Sequence, residues 1–290
     1  MNQYSNNPAR LFMTNQLDPQ LKLIKELIEF PTVSRDSNLE LINFISHYLK
    51  SYGIESKLIH SDCGNKANLL ATIGPNIGGG IVLSGHTDVV PVDGQDWHSD
   101  PFRLDQREGR LYGRGTSDMK SFCAIALSLI PEMQGLKQPI HLALSYDEEV
   151  GCLGTKSLIK LIKEEIPEPL GVIVGEPTEM RIVTAHKGIT HFLTTVTGYE
   201  AHSSQQHRGV PAIMYAGRII NWLAERQSKN ADLEDKKSGF EPGYTTLHCG
   251  LIKGGTAANI CARECTFETD IRTMPGESPE DYLEEIQDYI

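Results

Sequence analysis

The stretch Ile81-Val82-Leu83-Ser84-Gly85-His86-Thr87-Asp88 reads as a short apolar strand that runs into a histidine and a carboxylate. A continuous apolar run of this length, ended by a polar turn, is the pattern of a strand buried on both faces. The arrangement recurs. Residues 140–145 form a second such run and lead into Asp147-Glu148-Glu149, and residues 171–174 lead into Gly175-Glu176-Pro177. A further strand is expected over 67–73. Helical spacing fills the intervals: Leu21, Ile24, Leu27 and Ile28 share one face of a helix that opens near Asp18 and stops at Pro31. Leu39, Ile42, Ile45 and Leu49 do the same over 38–51, and helices are expected over 119–129 and 155–163. Strands alternating with helices predict an α/β domain with a mainly parallel sheet.

Around Gly188 the pattern changes. Strands are expected over 189–197, 246–253 and 264–271, helices over 211–225 and from Pro279 onward, and a solvated polar loop over 226–243. This β-α-β-β-α order predicts a ferredoxin-like α+β unit without its last strand, inserted after the first sheet. The expected division is residues 1–188 for the first domain and 189–290 for the second.

Bulk properties exclude several classes. The 290 residues carry a net charge of −11 and no basic stripe, which argues against nucleic acid or an anionic membrane surface as partner. No apolar run is long enough to span a membrane. Residues Met1 to Gln20 are polar and lack the basic-then-apolar order of a signal peptide. The cysteines at 63, 123, 152, 249, 261 and 265 show no C-x-x-C spacing, so they read as reduced, mostly buried thiols of a cytoplasmic protein.

Open α/β sheets place their sites at the carboxyl ends of strands, which makes the polar residues there the candidates. A neutral His86 suits zinc, and the neighbouring Asp88 carboxylate can fix its tautomer through the other ring nitrogen. In Gly113-Arg114-Gly115-Thr116-Ser117-Asp118-Met119-Lys120, Asp118 stands at a helix entry, where the helix dipole favours a carboxylate. Each cluster alone has a plain reading: a loop histidine, an N-cap, a solvated acidic turn. Their recurrence at strand ends and a helix entry points instead to one site. One histidine with several carboxylates suits two divalent ions sharing a bridging carboxylate. Such a pair polarises a carbonyl and activates water, with Glu148 as proton shuttle.

The ordered motifs HTDVVP (86–91), GRGTSDMK (113–120), SYDEEVGCLGT (145–155) and GEPTEMRIVTAHKG (175–188), with AHSS (201–204), resemble one known family. It is that of acetylornithine deacetylases, succinyl-diaminopimelate desuccinylases and carboxypeptidases, which are di-zinc hydrolases. The likeness starts at LIKELIEFPTVS (23–34) and covers essentially the whole chain. It implies a zinc-peptidase-like catalytic domain with an inserted dimerisation domain, and a homodimer. It also implies roles: His86 and Glu176 as ligands of the first metal, Asp118 as bridging ligand, and Glu149 as ligand of the second. Asp88 stands behind His86, and Glu148 is the general base. His202 reaches the neighbouring subunit's site, and Asn259 and Arg272, in GGTAANI and DIR, bind the substrate's α-carboxylate.

SYDEEVGCLGT and GEPTEMRIVTAHKG look more like the deacetylase branch. That implies hydrolysis of N2-acetyl-L-ornithine to L-ornithine and acetate, a step of arginine biosynthesis. Another acyl-amino-acid hydrolase such as the desuccinylase, or a non-catalytic dimerising protein, are the alternatives. Zinc, cobalt and manganese all suit the ligands. The resemblance further implies a last metal-ligand histidine that the chain as given stops before. On that basis a loosely held second metal, an unpaired sheet edge and weak or no activity are expected.

Overall fold

Leu23, Ile24, Leu27 and Ile28 are buried along α1 (Pro19–Ile28), whose first turn is closed by Asp18 accepting from the Gln20 amide at 3.0 Å. The computed structural model describes residues 18–290, so the reading of the N-terminal segment lies, for residues 1–17, outside the described residues. Helix α2 (Leu39–Ser51) buries Leu41, Ile42, Ile45 and Leu49. Asn38 precedes it without capping it. Its side chain instead exchanges two hydrogen bonds with the Ala67 main chain, both 2.9 Å, tying the start of α2 to the sheet.

The chain divides into two compact units, Met1–Met180 and Arg181–Ile290. In the first, β1 (Ser56–His60), β2 (Ala67–Ile73), β3 (Ile81–His86), β6 (Ile140–Ser145) and β7 (Gly171–Val174) form a sheet of order β1-β2-β6-β3-β7. Strands β3, β6 and β7 are parallel, while β2 runs against both β6 and β1. A small hairpin, β4 (Asp105–Arg107) and β5 (Arg110–Tyr112), stands apart from it. Alternate residues face two cores. Leu69, Ala71, Leu142 and Leu144 pack with α1, α2 and α3 (Lys120–Ser128) on one face. Leu70, Val82 and Ala143 pack with Leu158 of α4 (Thr155–Glu165) on the other. Burial on both faces is why these strands read as unbroken apolar runs.

The connections create a crevice. From β3 the chain passes through α3 to β6, and from β6 through α4 to β7, with the two helices on opposite faces. Neighbouring parallel strands whose connections leave to opposite sides open a gap at their carboxyl ends, where open sheets bind ligands.

The second unit is a three-stranded antiparallel sheet of order β8-β10-β9, from β8 (Gly188–Thr197), β9 (Thr246–Gly254) and β10 (Glu264–Thr273). Every second residue of β10 is buried, Cys265, Phe267, Thr269, Ile271 and Thr273, beneath α5 (Ala212–Asp232) and α6 (Pro279–Tyr289). The polar loop expected from residue 226 is a correction: α5 continues to Asp232. Its last turns are anchored by polar bonds in place of apolar burial. Arg226 pairs with Glu285, Gln227 accepts from the Leu247 amide at 2.7 Å, and the buried Asn230 donates to the Thr245 carbonyl at 2.8 Å. No helix among the described residues is long and apolar enough to cross a membrane.

Candidate metal centre

His86 ends β3 and is 1 % exposed. Its Nδ1 lies 2.8 Å from the main-chain carbonyl of Asp88, and this contact, more than the Asp88 carboxylate 3.6 Å away, sets the tautomer. Nε2 is therefore directed at the crevice. Around it stand Asp118 Oδ1 at 2.9 Å, Glu176 Oε1 at 3.8 Å and Glu148 Oε2 at 4.0 Å. Donor atoms of His86, Glu148 and Glu176 lie within 4.8 Å of one another, and so do those of His86, Asp118 and Glu149. Five side chains spread over 86–176 thus meet at the carboxyl ends of β3, β6 and β7 and the entry of α3. Glu148 shares a grouping with His86 and Glu176, though its oxygen is the farthest of the three carboxylates from His86 Nε2.

Besides standing 3.6 Å behind the His86 ring, the Asp88 carboxylate orders the acidic turn. It accepts the Glu148 amide at 3.0 Å, the Glu149 amide at 3.3 Å and the Ser34 hydroxyl at 2.7 Å. It therefore holds the acidic turn in place from below. Asp147, the first residue of that turn, has φ +54° and is buried against Lys66 rather than joining the cluster. Three adjacent carboxylates repel one another, and the Lys66–Asp147 ion pair offsets the charge of one of them.

Helix α3 can bring Asp118 to the crevice because glycines meet it. A Cβ on Gly85 would lie 2.9 Å from Met119 Cε, and one on Gly175 would lie 2.1 Å from Phe122 Cγ. Both strand ends are pressed against the first turn of the helix.

The electrostatics suit cations. Burial, then the Asp118 charge, raises the pKa of Glu149; burial raises that of Glu176 against the opposing His86, with Asp118 and Glu148 adding to the rise. Burial works against the charged form of His86, yet the Asp88 charge and the hydrogen bond to Asp118 leave its pKa raised. A half-buried histidine–carboxylate cluster crowded with negative charge fits borderline divalent ions such as zinc, which take nitrogen and oxygen ligands.

The other candidates lie in the second unit. The His202 ring accepts from the Ser204 amide at 3.2 Å, and His202 makes an isolated backbone bridge to Ile260 beside Asn259, whose carbonyl takes the Ser203 amide at 2.9 Å. Arg272 lies on β10, where Asp270 receives its Nε and Nη2 at 2.7 and 2.8 Å. His202 and Asn259 are thus neighbours, while Arg272 belongs to a separate cluster with Asp270 and His191, the latter 3.3 Å from Asp270. All six cysteines are free; Cys123, Cys261 and Cys265 are buried and Cys249 is half-buried, while Cys63 and Cys152 are exposed. Reasoning from sequence missed Ser34 and Lys66. Ser34 stands within the FPTVS motif, and nothing in the sequence around Lys66 marks it.

Residues 82–280 match Peptidase family M20/M25/M40. The chain is 36 % identical over 273 residues to an acetylornithine deacetylase of Myxococcus xanthus, covering 92 % of this chain and 70 % of that one. It is 33 % identical over 267 residues to an acetylornithine deacetylase of Pasteurella multocida, covering 88 % and 68 %. An M20-family metallo-carboxypeptidase of Sulfolobus solfataricus superposes with TM-score 0.75 at 19 % identity, over 94 % of this chain and 75 % of that one. A dinuclear metal-binding M20 peptidase of Bacillus subtilis does so with TM-score 0.59 at 16 % identity, over 92 % and 67 %. The expected fold class, an α/β zinc-peptidase-like sheet followed by an α+β unit, is the fold of these neighbours.

Proposed function

The chain belongs to peptidase family M20/M25/M40 and is a metal-dependent amidohydrolase, and on that premise we propose that it deacetylates N2-acetyl-L-ornithine to L-ornithine and acetate, in arginine biosynthesis. The observation that carries the reading is the convergence of His86, Asp118, Glu148, Glu149 and Glu176 on one crevice. The identity to the acetylornithine deacetylases supports the choice of substrate.

Two divalent ions, zinc or cobalt, would be held by His86, Asp118, Glu149 and Glu176, with Asp118 shared, and would supply Lewis acidity and a more acidic water. Glu148 takes the proton of the attacking water and returns it to the amine nitrogen as the C–N bond breaks. Asp88 keeps Glu148 and Glu149 in register through their amides. In a homodimer the partner subunit's His202 stabilises the developing oxyanion. Asn259 and Arg272 bind the α-carboxylate, the Arg272 guanidinium being oriented by Asp270, which accepts from its Nε and Nη2. Residues 1–188 would be the catalytic part and 189–290 the dimerisation domain, a division close to that of the compact units Met1–Met180 and Arg181–Ile290. The six free thiols support a reducing compartment, and we assign the protein to the cytoplasm.

The test is turnover by the zinc-loaded protein of N2-acetyl-L-ornithine beside N-succinyl-diaminopimelate. Preferred release of acetate is the expected result. Faster cleavage of the succinyl compound would move the protein to the other branch, and zinc bound with cleavage of neither would favour the non-catalytic dimerising alternative.

A further inference from the structure

Lys66 enters the sheet just ahead of β2 and is 8 % exposed, as is Asp147. Its ammonium donates to Asp147 Oδ1 at 2.5 Å and to the Ser34 carbonyl. The Ser34 hydroxyl donates to Asp88 Oδ2 at 2.7 Å, and Asp88 accepts the amides of Glu148 and Glu149. The contacts close a ring: Lys66, Asp147, the main chain of 148 and 149, Asp88, Ser34 and back to Lys66. Three consecutive residues of the acidic turn are thereby pinned, one by its side chain and two by their amides.

We propose that Lys66 is a positioning residue of the metal centre, fixing through Asp147 the turn from which Glu148 and Glu149 project. The role rests on reading the His86–Glu176 cluster as a metal centre. Stability alone accounts poorly for such a pair, since burying an ammonium and a carboxylate costs desolvation that a well-packed apolar pair avoids. What the ion pair adds is direction. Glu148 and Glu149 fall in different ligand groupings, so a shift of their common turn displaces both at once. The pairing also occupies Asp147, a third carboxylate next to the cluster that, released, would compete for the ions and rotate the turn.

Partners that orient metal ligands from behind typically contribute about 10–100-fold to affinity. Zinc affinity of the folded chain, measured by competition with a chelating dye, is therefore the readout, with unfolding of the metal-free chain followed separately. Lys66→Met and Asp147→Asn are each expected to weaken zinc binding by about that factor in chains that still unfold cooperatively. The double variant is expected to lose no more than Lys66→Met alone, as for two groups acting through one contact. Unchanged zinc affinity in either folded single variant, or losses that add in the double variant, would overturn the role. Should Lys66→Met not fold, Asp147→Asn, which keeps the side chain's shape, decides the matter. A parent chain that takes up no zinc refutes the metal centre itself, an outcome distinct from a parent that binds zinc with or without help from Lys66.

Discussion

On the proposed function, Glu148 is the residue on which the chemistry turns. Its carboxylate faces His86 Nε2 at 4.0 Å, and its other oxygen receives the Cys152 thiol at 3.5 Å. A general base needs the carboxylate's charge and basicity, whereas the ligands around it do not depend on its basicity. Glu148→Gln is therefore expected to keep zinc bound and to lower kcat by about 10²–10⁴-fold. Parallel loss of zinc and activity, measured on one sample, would make Glu148 a ligand and reassign the base. At this scale the sequence was informative where a residue follows an apolar strand: His86, Glu148, Glu149 and Glu176 stand out for that reason. Lys66 did not, because its partner lies 81 positions away and only the folded chain brings the two together.

Among the elements, α3 and the ends of β3 and β7 do most to build the crevice, and their close approach depends on having no side chain at two positions. Gly175→Ala puts a Cβ 2.1 Å from the Phe122 ring, so helix or strand must yield. Overpacking of this kind costs about 1–3 kcal/mol, and the urea midpoint should fall accordingly. A midpoint equal to the parent's would show that Phe122 swings aside freely and that the contact does not position α3. The strands over 67–73 and 140–145 were legible because both faces are covered, which makes their sequences continuous apolar runs. The run at 171–174 reads the same way, yet it is an edge strand whose Val172, Ile173 and Val174 are exposed. Strand β1 was missed because its residues are only half-buried, and the β4–β5 hairpin because each strand is three residues long. The end of α5 was misread as loop because Arg226, Gln227 and Asn230 anchor it through side-chain bonds, which leave no apolar period to see.

At the scale of the molecule, each unit has its own core: one on α1 to α4 and the five-stranded sheet, the other on α5, α6 and the three-stranded sheet. Every proposed metal ligand is in the first unit, so a change to one of them should leave the second unit's fold intact. Asp118 is the most direct point of attack. It is the nearest carboxylate to His86 Nε2 and stands half-exposed at the crevice, where its removal disturbs no core packing. Equilibrium dialysis against zinc, on the parent and on Asp118→Ala with folding followed by circular dichroism, tests the account at its centre. The account predicts zinc uptake by the parent and its loss, or a drop of at least about tenfold in affinity, in a variant that remains folded. A parent that binds no zinc, or an Asp118→Ala chain that binds it as tightly as the parent, would contradict the metal centre and the hydrolysis built on it.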